Sequence, residues 1–410
     1  MIVSKQPELN VGMIGHVDHG KTTLTYALTG EWTARHSEEI RRGISIKIGY
    51  ADAAFYGCNN YSGPDSYSTN EQSQLCGGES ELKRVVSFVD SPGHETLMAV
   101  MLSGAAIMDG ALLIIAANEK CPQPQTREHL KALEILGVEN IIVVQTKIDL
   151  VSEEDVKKNF HEIKKFLRGS VAEDSIVVPV SAYHEANIDF LIKTIVENIP
   201  PPIYHEERPL RMDVLRSFDI NRPGTKIDDL KGGVIGGSII EGIVKLGDEI
   251  EIRPGIKREE RNKTRWESIL TKVVSIKAGE LELESARCGG LITLGTTLDP
   301  TLPKADGFAG QVAGYPGNLP DVLYTLTLNI NLLENVVGLD SNIQVETIKT
   351  MEPLMLNVGS ATTVGVVKSA REDMVDITLK MPVCAMKGQR VAISRRFGSR
   401  WRLIGYGIID

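Results

Sequence analysis

Residues 15–22 read Gly-His-Val-Asp-His-Gly-Lys-Thr, a glycine loop ending in Lys-Thr. Gly15 and Gly20 let successive backbone N–H groups turn inward on an anion, and a helix opening just beyond adds its partial positive charge. Lys21 brings a full charge on a mobile stem to the outer phosphates of a nucleotide, and the Thr22 hydroxyl suits Mg²⁺. Asp90-Ser91-Pro92-Gly93-His94 follows the apolar run 85–89. Asp90 there reaches a divalent cation, directly or through water, opposite Thr22. Gly93, lacking a Cβ, brings its N–H close to a terminal phosphate. Thr146-Lys147-Ile148-Asp149 follows the run 141–144. The Asp149 carboxylate can accept two hydrogen bonds from guanine N1–H and its 2-amino group, a donor pair that adenine lacks. The Lys147 stem can lie over the base, and Ser181-Ala182 would bring backbone N–H groups near guanine O6. Each piece alone is a common turn; their order after successive strands is the specific signal.

Those residues need strands that end side by side. Short apolar runs at 11–14, 85–89, 111–116, 141–144 and 176–180 alternate with amphipathic stretches, the mark of a mostly parallel sheet flanked by helices. The spacing predicts helices over 21–28, stopped by Gly30, and over 126–136, leaving at Gly137. Ser152 N-caps a helix carrying Val156, Phe160, Ile163 and Leu167, and Asn187 opens the last one. Pro200-Pro201-Pro202 ends the pattern, because no helix crosses three prolines. Beyond it come short, β-branched, glycine-punctuated segments at 236–243, 248–252, 271–276 and 290–294, then 354–358, 363–368, 375–380, 390–394 and 401–409. Evenly spaced strands without helices suggest barrels, which leave no open sheet edge. The expected architecture is an α/β domain over 1–203, a first β-barrel over 204–320 and a second over 321–410. The nucleotide domain holds a loop at 31–50 and an insert at 57–81.

A net charge of −9 argues against wrapping in nucleic acid through global basicity and leaves room for one local basic face. Arg390, Arg395, Arg396, Arg400 and Arg402 surround Phe397 and Trp401; they suit RNA phosphates, or else form a solvated hairpin with Trp401 in a barrel core. The glycines of 231–237 either admit an RNA end to the backbone or mark a β-bulge. Five cysteines without a C-x-x-C pair suggest no disulfide framework and fit a reducing cytoplasm. No run approaches the ~18–20 apolar residues of a membrane span, so a cytoplasmic chain with no membrane partner is expected.

Gly-His-Val-Asp-His-Gly-Lys-Thr-Thr, Arg-Gly-Ile-Ser-Ile at 42–46, Asp-Ser-Pro-Gly-His-Glu and Lys-Ile-Asp together resemble the translational GTPases. Within them the chain is similar to the gamma subunits of archaeal and eukaryotic translation initiation factor 2, on 121–129, 216–224, 229–233 and 399–405. The likeness covers essentially the whole chain. It implies a P-loop GTPase domain followed by two β-barrel domains, with GTP or GDP and Mg²⁺ bound. It also implies methionylated initiator tRNA, alpha and beta subunits in a heterotrimer, and the small ribosomal subunit as partners. By position it assigns the nucleotide to Asp18, His19, Gly20, Lys21, Thr22, Thr23, Asp90, Gly93, Thr146, Lys147, Asp149, Ser181 and Ala182. Catalysis falls to His94, which aligns the attacking water, and to Lys21. Mg²⁺ falls to Thr22 and the switch hydroxyl Ser45, with Asp18 and Gly43 at a second metal ion. Ser45 would complete a metal shell only while the terminal phosphate holds its loop, an order–disorder switch.

Two positions depart from the family pattern. Thr146 stands where Asn is usual, which implies weaker guanine binding with the preference kept by Asp149. The insert 57–81 holds Cys58 and Cys76 where many relatives carry a four-cysteine zinc knuckle; two thiolates cannot close a tetrahedral site, so zinc is not expected. The same nucleotide motifs also serve elongation-type or selenocysteine-specific aminoacyl-tRNA carriers, which differ in tRNA choice. They serve the GTPase subunit of a sulfate adenylyltransferase too, which would bind no tRNA.

Overall fold

The computed structural model describes residues 5–33, 48–59, 61, 63, 65–71, 80–93, 98–260, 263–337 and 343–410. Two compact units contain them: 1–202 with 336–343, and 203–335 with 344–410.

The first unit is built on one sheet. Its strands are β1 (Leu9–Gly15), β2 (Gly49–Gly57), β3 (Tyr67–Ser68), β4 (Glu81–Asp90), β5 (Gly110–Ala116), β6 (Ile141–Thr146) and β7 (Val177–Pro179). They lie in the order β3-β2-β4-β1-β5-β6-β7. From β4 through β7 all pairings are parallel, whereas β2 pairs antiparallel with both β4 and β3. Every residue of β1, β5 and β6 is buried, as expected of central strands covered on both faces.

Among the described residues the helices are α1 (Lys21–Thr29), α2 (Met98–Ala105), α3 (Pro124–Leu136), α4 (Glu153–Leu167) and α5 (Ile188–Asn198). Strand alternation decides which face each one meets. Leu9, Val11, Met13, Leu112, Ile114, Ile142 and Val144 pack with Leu24 and Leu28 of α1 and Leu191 and Ile195 of α5. The intervening residues face the other way: Gln145 donates to Asn159 Oδ1 of α4 at 2.8 Å. Local signals set the helix ends. Gly30 closes α1 at φ 76° with its N–H on the Tyr26 carbonyl, and Gly137 closes α3 at φ 77°. The Ser152 hydroxyl caps α4 by accepting from Asp155 N–H at 3.2 Å.

The second unit holds two six-stranded closed barrels. The first runs Glu249–Glu260, Val312–Gly314, Arg211–Phe218, Val234–Glu241, Ile292–Thr296, Lys263–Ala278 and back to Glu249–Glu260. The second runs Val322–Leu332, Met374–Cys384, Ala361–Ala370, Pro353–Val358, Arg390–Phe397, Arg400–Ile409 and back to Val322–Leu332. The strands Arg211–Phe218, Val312–Gly314 and Val322–Leu332 were not expected: the first carries Arg211, Asp213 and Arg216, the second is only three residues long, and in the third the alternation of Leu326, Leu328, Ile330 and Leu332 with Thr and Asn is a strand signal that went unread.

Arg395 donates to Glu352 and to the carbonyls of Glu346 and Thr347, and Arg402 is buried, so both belong to the barrel. Trp401 is half-buried on the same hairpin rather than in the core. In the glycine stretch, a Cβ on Gly232 would stand 1.9 Å from the Thr296 carbonyl oxygen, and one on Gly237 1.9 Å from that of Asp213. Close approach of the barrel's own backbone accounts for these glycines. Cysteine usage departs from an all-thiol chain: Cys58 is disulfide-bonded, while Cys121, Cys288 and Cys384 are free and buried.

Candidate functional site

The loop between β1 and α1 lies at the carboxyl ends of the parallel strands, where open α/β sheets bind ligands. Gly20 caps α1 in the left-handed region at φ 87°, and exposed Asp18 also turns there at φ 62°. A Cβ on Gly15 would meet the Ile114 carbonyl oxygen at 2.3 Å, so the loop crosses β5 at backbone contact.

Lys21 is 7% exposed, and its ammonium donates to the carbonyls of Gly15 (3.0 Å) and His16 (2.7 Å). Burial pulls its pKa down to about 8, against the attraction of Asp90 and Asp18. Thr22 Oγ1 donates to Asp90 Oδ2 at 2.9 Å, and Thr33 Oγ1 donates to the same oxygen at 2.6 Å. A hydroxyl beside a buried carboxylate is an oxygen donor set of the kind Mg²⁺ takes. Gly93 is buried against the same group: a Cβ there would lie 2.3 Å from Lys21 Nζ, 2.8 Å from the Gly15 oxygen and 3.0 Å from Val17 N. A buried ammonium resting on carbonyls, beside a glycine with no room for a methyl, fits a terminal phosphate. Thr23 is half-buried on α1.

His19 is almost fully buried. Its Nδ1 meets the Ile114 carbonyl at 3.0 Å and its Nε2 meets Glu119 Oε2 at 3.3 Å. Burial holds its pKa below the ordinary imidazole value, with the Ile114 carbonyl and Glu119 working against it. The His19 carbonyl accepts from Thr146 Oγ1 at 2.7 Å, which joins the end of β6 to the phosphate loop. Lys147 follows in the left-handed region at φ 58° and caps a short 3₁₀ turn, Ile148–Leu150, that leaves Asp149 exposed. Ser181 is buried, exchanges backbone hydrogen bonds with Ala186, and accepts from His184 N–H at 3.3 Å; Ala182 packs on the sheet core.

The structure therefore brings Gly15, Lys21, Thr22, Asp90 and Gly93 together, and ties His19 to Thr146. His94, Ser45, Gly43 and Cys76 lie outside the described residues. The sequence reading passed over His129. It is fully buried on α3; burial, with Lys21, His16 and His19 nearby, drives its pKa down to about 3 against a backbone hydrogen bond with Gly15. The signal was a histidine next to Leu130 on the apolar stripe of α3. Thr33 was missed as well, since nothing marks a lone hydroxyl after a helix.

Among the described residues, no helix is long and apolar enough to cross a membrane. The family model for the elongation factor Tu GTP-binding domain matches residues 6–201, and that for initiation factor eIF2 gamma, C terminal, matches 324–409. Translation initiation factor 2 subunit gamma of Methanocaldococcus jannaschii is 59% identical over 99% of this chain and 98% of its own. The protein of the same name from Archaeoglobus fulgidus is 58% identical over 98% and 94%. Among solved structures, the bacterial selenocysteine-specific elongation factor EF-Sec superposes with a TM-score of 0.74 at 24% identity, covering 98% of this chain and 58% of that one. Translation elongation factor SelB from Methanococcus maripaludis gives 0.72 at 24%, covering 100% and 80%. At that identity the two structures share the fold alone. On the full-length likeness to its archaeal relatives, the chain belongs to the translation initiation factor 2 subunit gamma family and is a translational GTPase.

Proposed function

We propose that the chain carries methionylated initiator tRNA in its GTP state, delivers it to the small ribosomal subunit, and releases it after hydrolysis. Alpha and beta subunits complete the factor in the cytoplasm, and domain boundaries fall after residues 203 and 320. Full-length relatives bearing the initiation-factor name support this reading over that of an elongation-type carrier.

The observation that carries the nucleotide role is Lys21, buried beneath Gly93 and beside the Asp90–Thr22 pair. Lys21 exchanges two carbonyl partners for phosphate oxygens and, with the Gly93 N–H, follows charge as it develops on the terminal phosphoryl group. Gly20, His19, Asp18 and Thr23 line the phosphate side. Asp149, Lys147, Ser181 and Ala182 hold the guanine, with Thr146 beside them at the start of the turn. Thr22, Asp90 and Ser45 would hold Mg²⁺, with Asp18 and Gly43 at a second ion. The metal, when bound, neutralises phosphate charge. His94 orients the attacking water, and until the ribosome positions it, turnover is slow. Single-turnover hydrolysis with and without start-codon-programmed small subunits tests this. Acceleration by the programmed subunit is expected, and equally fast hydrolysis by the isolated protein would contradict it.

A further inference from the structure

A closed circuit of hydrogen bonds joins the phosphate loop to the base side of the site. Thr146 Oγ1 donates to the His19 carbonyl at 2.7 Å, and the His19 ring meets Glu119 at 3.3 Å. The Glu119 carbonyl accepts from Asn159 Nδ2 at 2.8 Å, and Asn159 Oδ1 accepts from Gln145 Nε2 at 2.8 Å. Gln145 is the chain neighbour of Thr146, which closes the ring. Strand alternation builds it: Gln145 points to α4 while Thr146 points to the α1 side, where the loop passes. Thr146 is 2% exposed, so water cannot replace its bond.

A hydroxyl has one proton. That proton lies on the His19 carbonyl, and the alternative acceptor within range is another carbonyl, Ile115, at 3.5 Å. What Thr146 can turn toward a nucleobase is therefore lone pairs. Purine N7 is itself an acceptor, and two acceptors do not bond.

We infer that Thr146 is a positioning residue that fastens the base-reading turn to the phosphate loop, and that the chain consequently reads guanine with no donor from Thr146 to N7. The inference rests on the proposed reading of the Watson–Crick edge by Asp149 and extends it to specificity: a guanine nucleotide whose five-membered ring lacks N7 is accepted as well as the natural one.

The test compares GDP, 7-deaza-GDP and inosine diphosphate by equilibrium titration and dissociation rate on the full chain. Wild type should hold 7-deaza-GDP within about twofold of GDP, since no neutral hydrogen bond is lost. Thr146→Val should weaken GDP and 7-deaza-GDP alike by about tenfold, through faster dissociation, because it leaves the buried His19 carbonyl without its donor. Thr146→Ser, which keeps the hydroxyl, should restore both. A loss of tenfold or more for 7-deaza-GDP on wild type would overturn the inference and needs no variant to fold. So would a Thr146→Val protein binding GDP as wild type does. Inosine diphosphate separates the two levels: binding equal to GDP would sink the Asp149 reading while leaving the tether standing.

Discussion

Gly93 and Lys21 are packed so that a single methyl on the glycine would stand 2.3 Å from the lysine ammonium, with the Gly15 carbonyl oxygen and Val17 N scarcely farther away. The lysine end can swing aside, but the two backbone atoms cannot. Gly93→Ala should therefore push Lys21 off its position and block close approach of the Gly93 N–H. GTP affinity should fall about tenfold or more, GDP affinity much less, a loss of the size expected for a charge-assisted hydrogen bond. Titration with both nucleotides checks it; equal small losses would contradict the assignment of Gly93 to the terminal phosphate.

The same lysine makes nucleotide binding depend on pH. Burial lowers its pKa from 10.5 to about 8 in the chain alone, and phosphate oxygens favour the charged form. Below about 8 the ammonium is charged whether or not nucleotide is bound, so affinity is flat. Above that point binding must take up a proton, and affinity falls by up to roughly tenfold per pH unit. GDP titrations from pH 7 to 9.5 measure this, with Lys21→Met as the control that should lose the slope. A level wild-type profile would refute the coupling.

His129 gives an acid-side signature. Its folded pKa of about 3 lies below the ordinary 6.5, so the unfolded chain binds more protons and stability falls as pH drops from 6.5 toward 3. Asp52, Asp109 and Asp213, each raised by burial from 3.8 to about 6, act in the opposite sense between those values. His129→Phe should remove one contribution and leave the other, so denaturant melts between pH 7 and 5 should lose stability less steeply than wild type. An unchanged slope would show that the buried ring does not set it.

Metal dependence should follow the Thr22–Asp90 pair. Chelation of Mg²⁺ should weaken GTP binding to wild type, and Asp90→Asn or Thr22→Ala should abolish most of that difference. Variants that still gain fully from Mg²⁺ would place the cation elsewhere. In the insert, elemental analysis of purified protein should find no stoichiometric zinc; one zinc per chain would refute the argument that Cys58 and Cys76 cannot close a tetrahedral site.

How far the sequence could be read follows from the range of each interaction. Lys21, Thr22, Asp90 and Gly93 were legible because a glycine loop and two strand ends impose their residue types locally. Gly30, Gly137 and Ser152 were legible for the same reason, since caps depend on nearest neighbours. The antiparallel strand β2 was not, for its Asp52 and Tyr56 interrupt the apolar pattern. Nor was the Thr146–His19 bond, which spans 127 residues and depends on which face of β6 a side chain occupies. His129 looked like one polar residue on a helix because its neighbours Gly15 and Lys21 are distant in sequence. The arginines of 390–402 showed their charge but not their partners: Glu352 lies 43 residues before Arg395.

The central claim is that the terminal phosphate of GTP controls the grip on initiator tRNA. Its most direct test is the affinity of the assembled factor for methionylated initiator tRNA, measured with a non-hydrolysable GTP analogue and with GDP. Clearly tighter binding is expected in the triphosphate state, with a difference that shrinks in Gly93→Ala. Equal affinity with either nucleotide would contradict it.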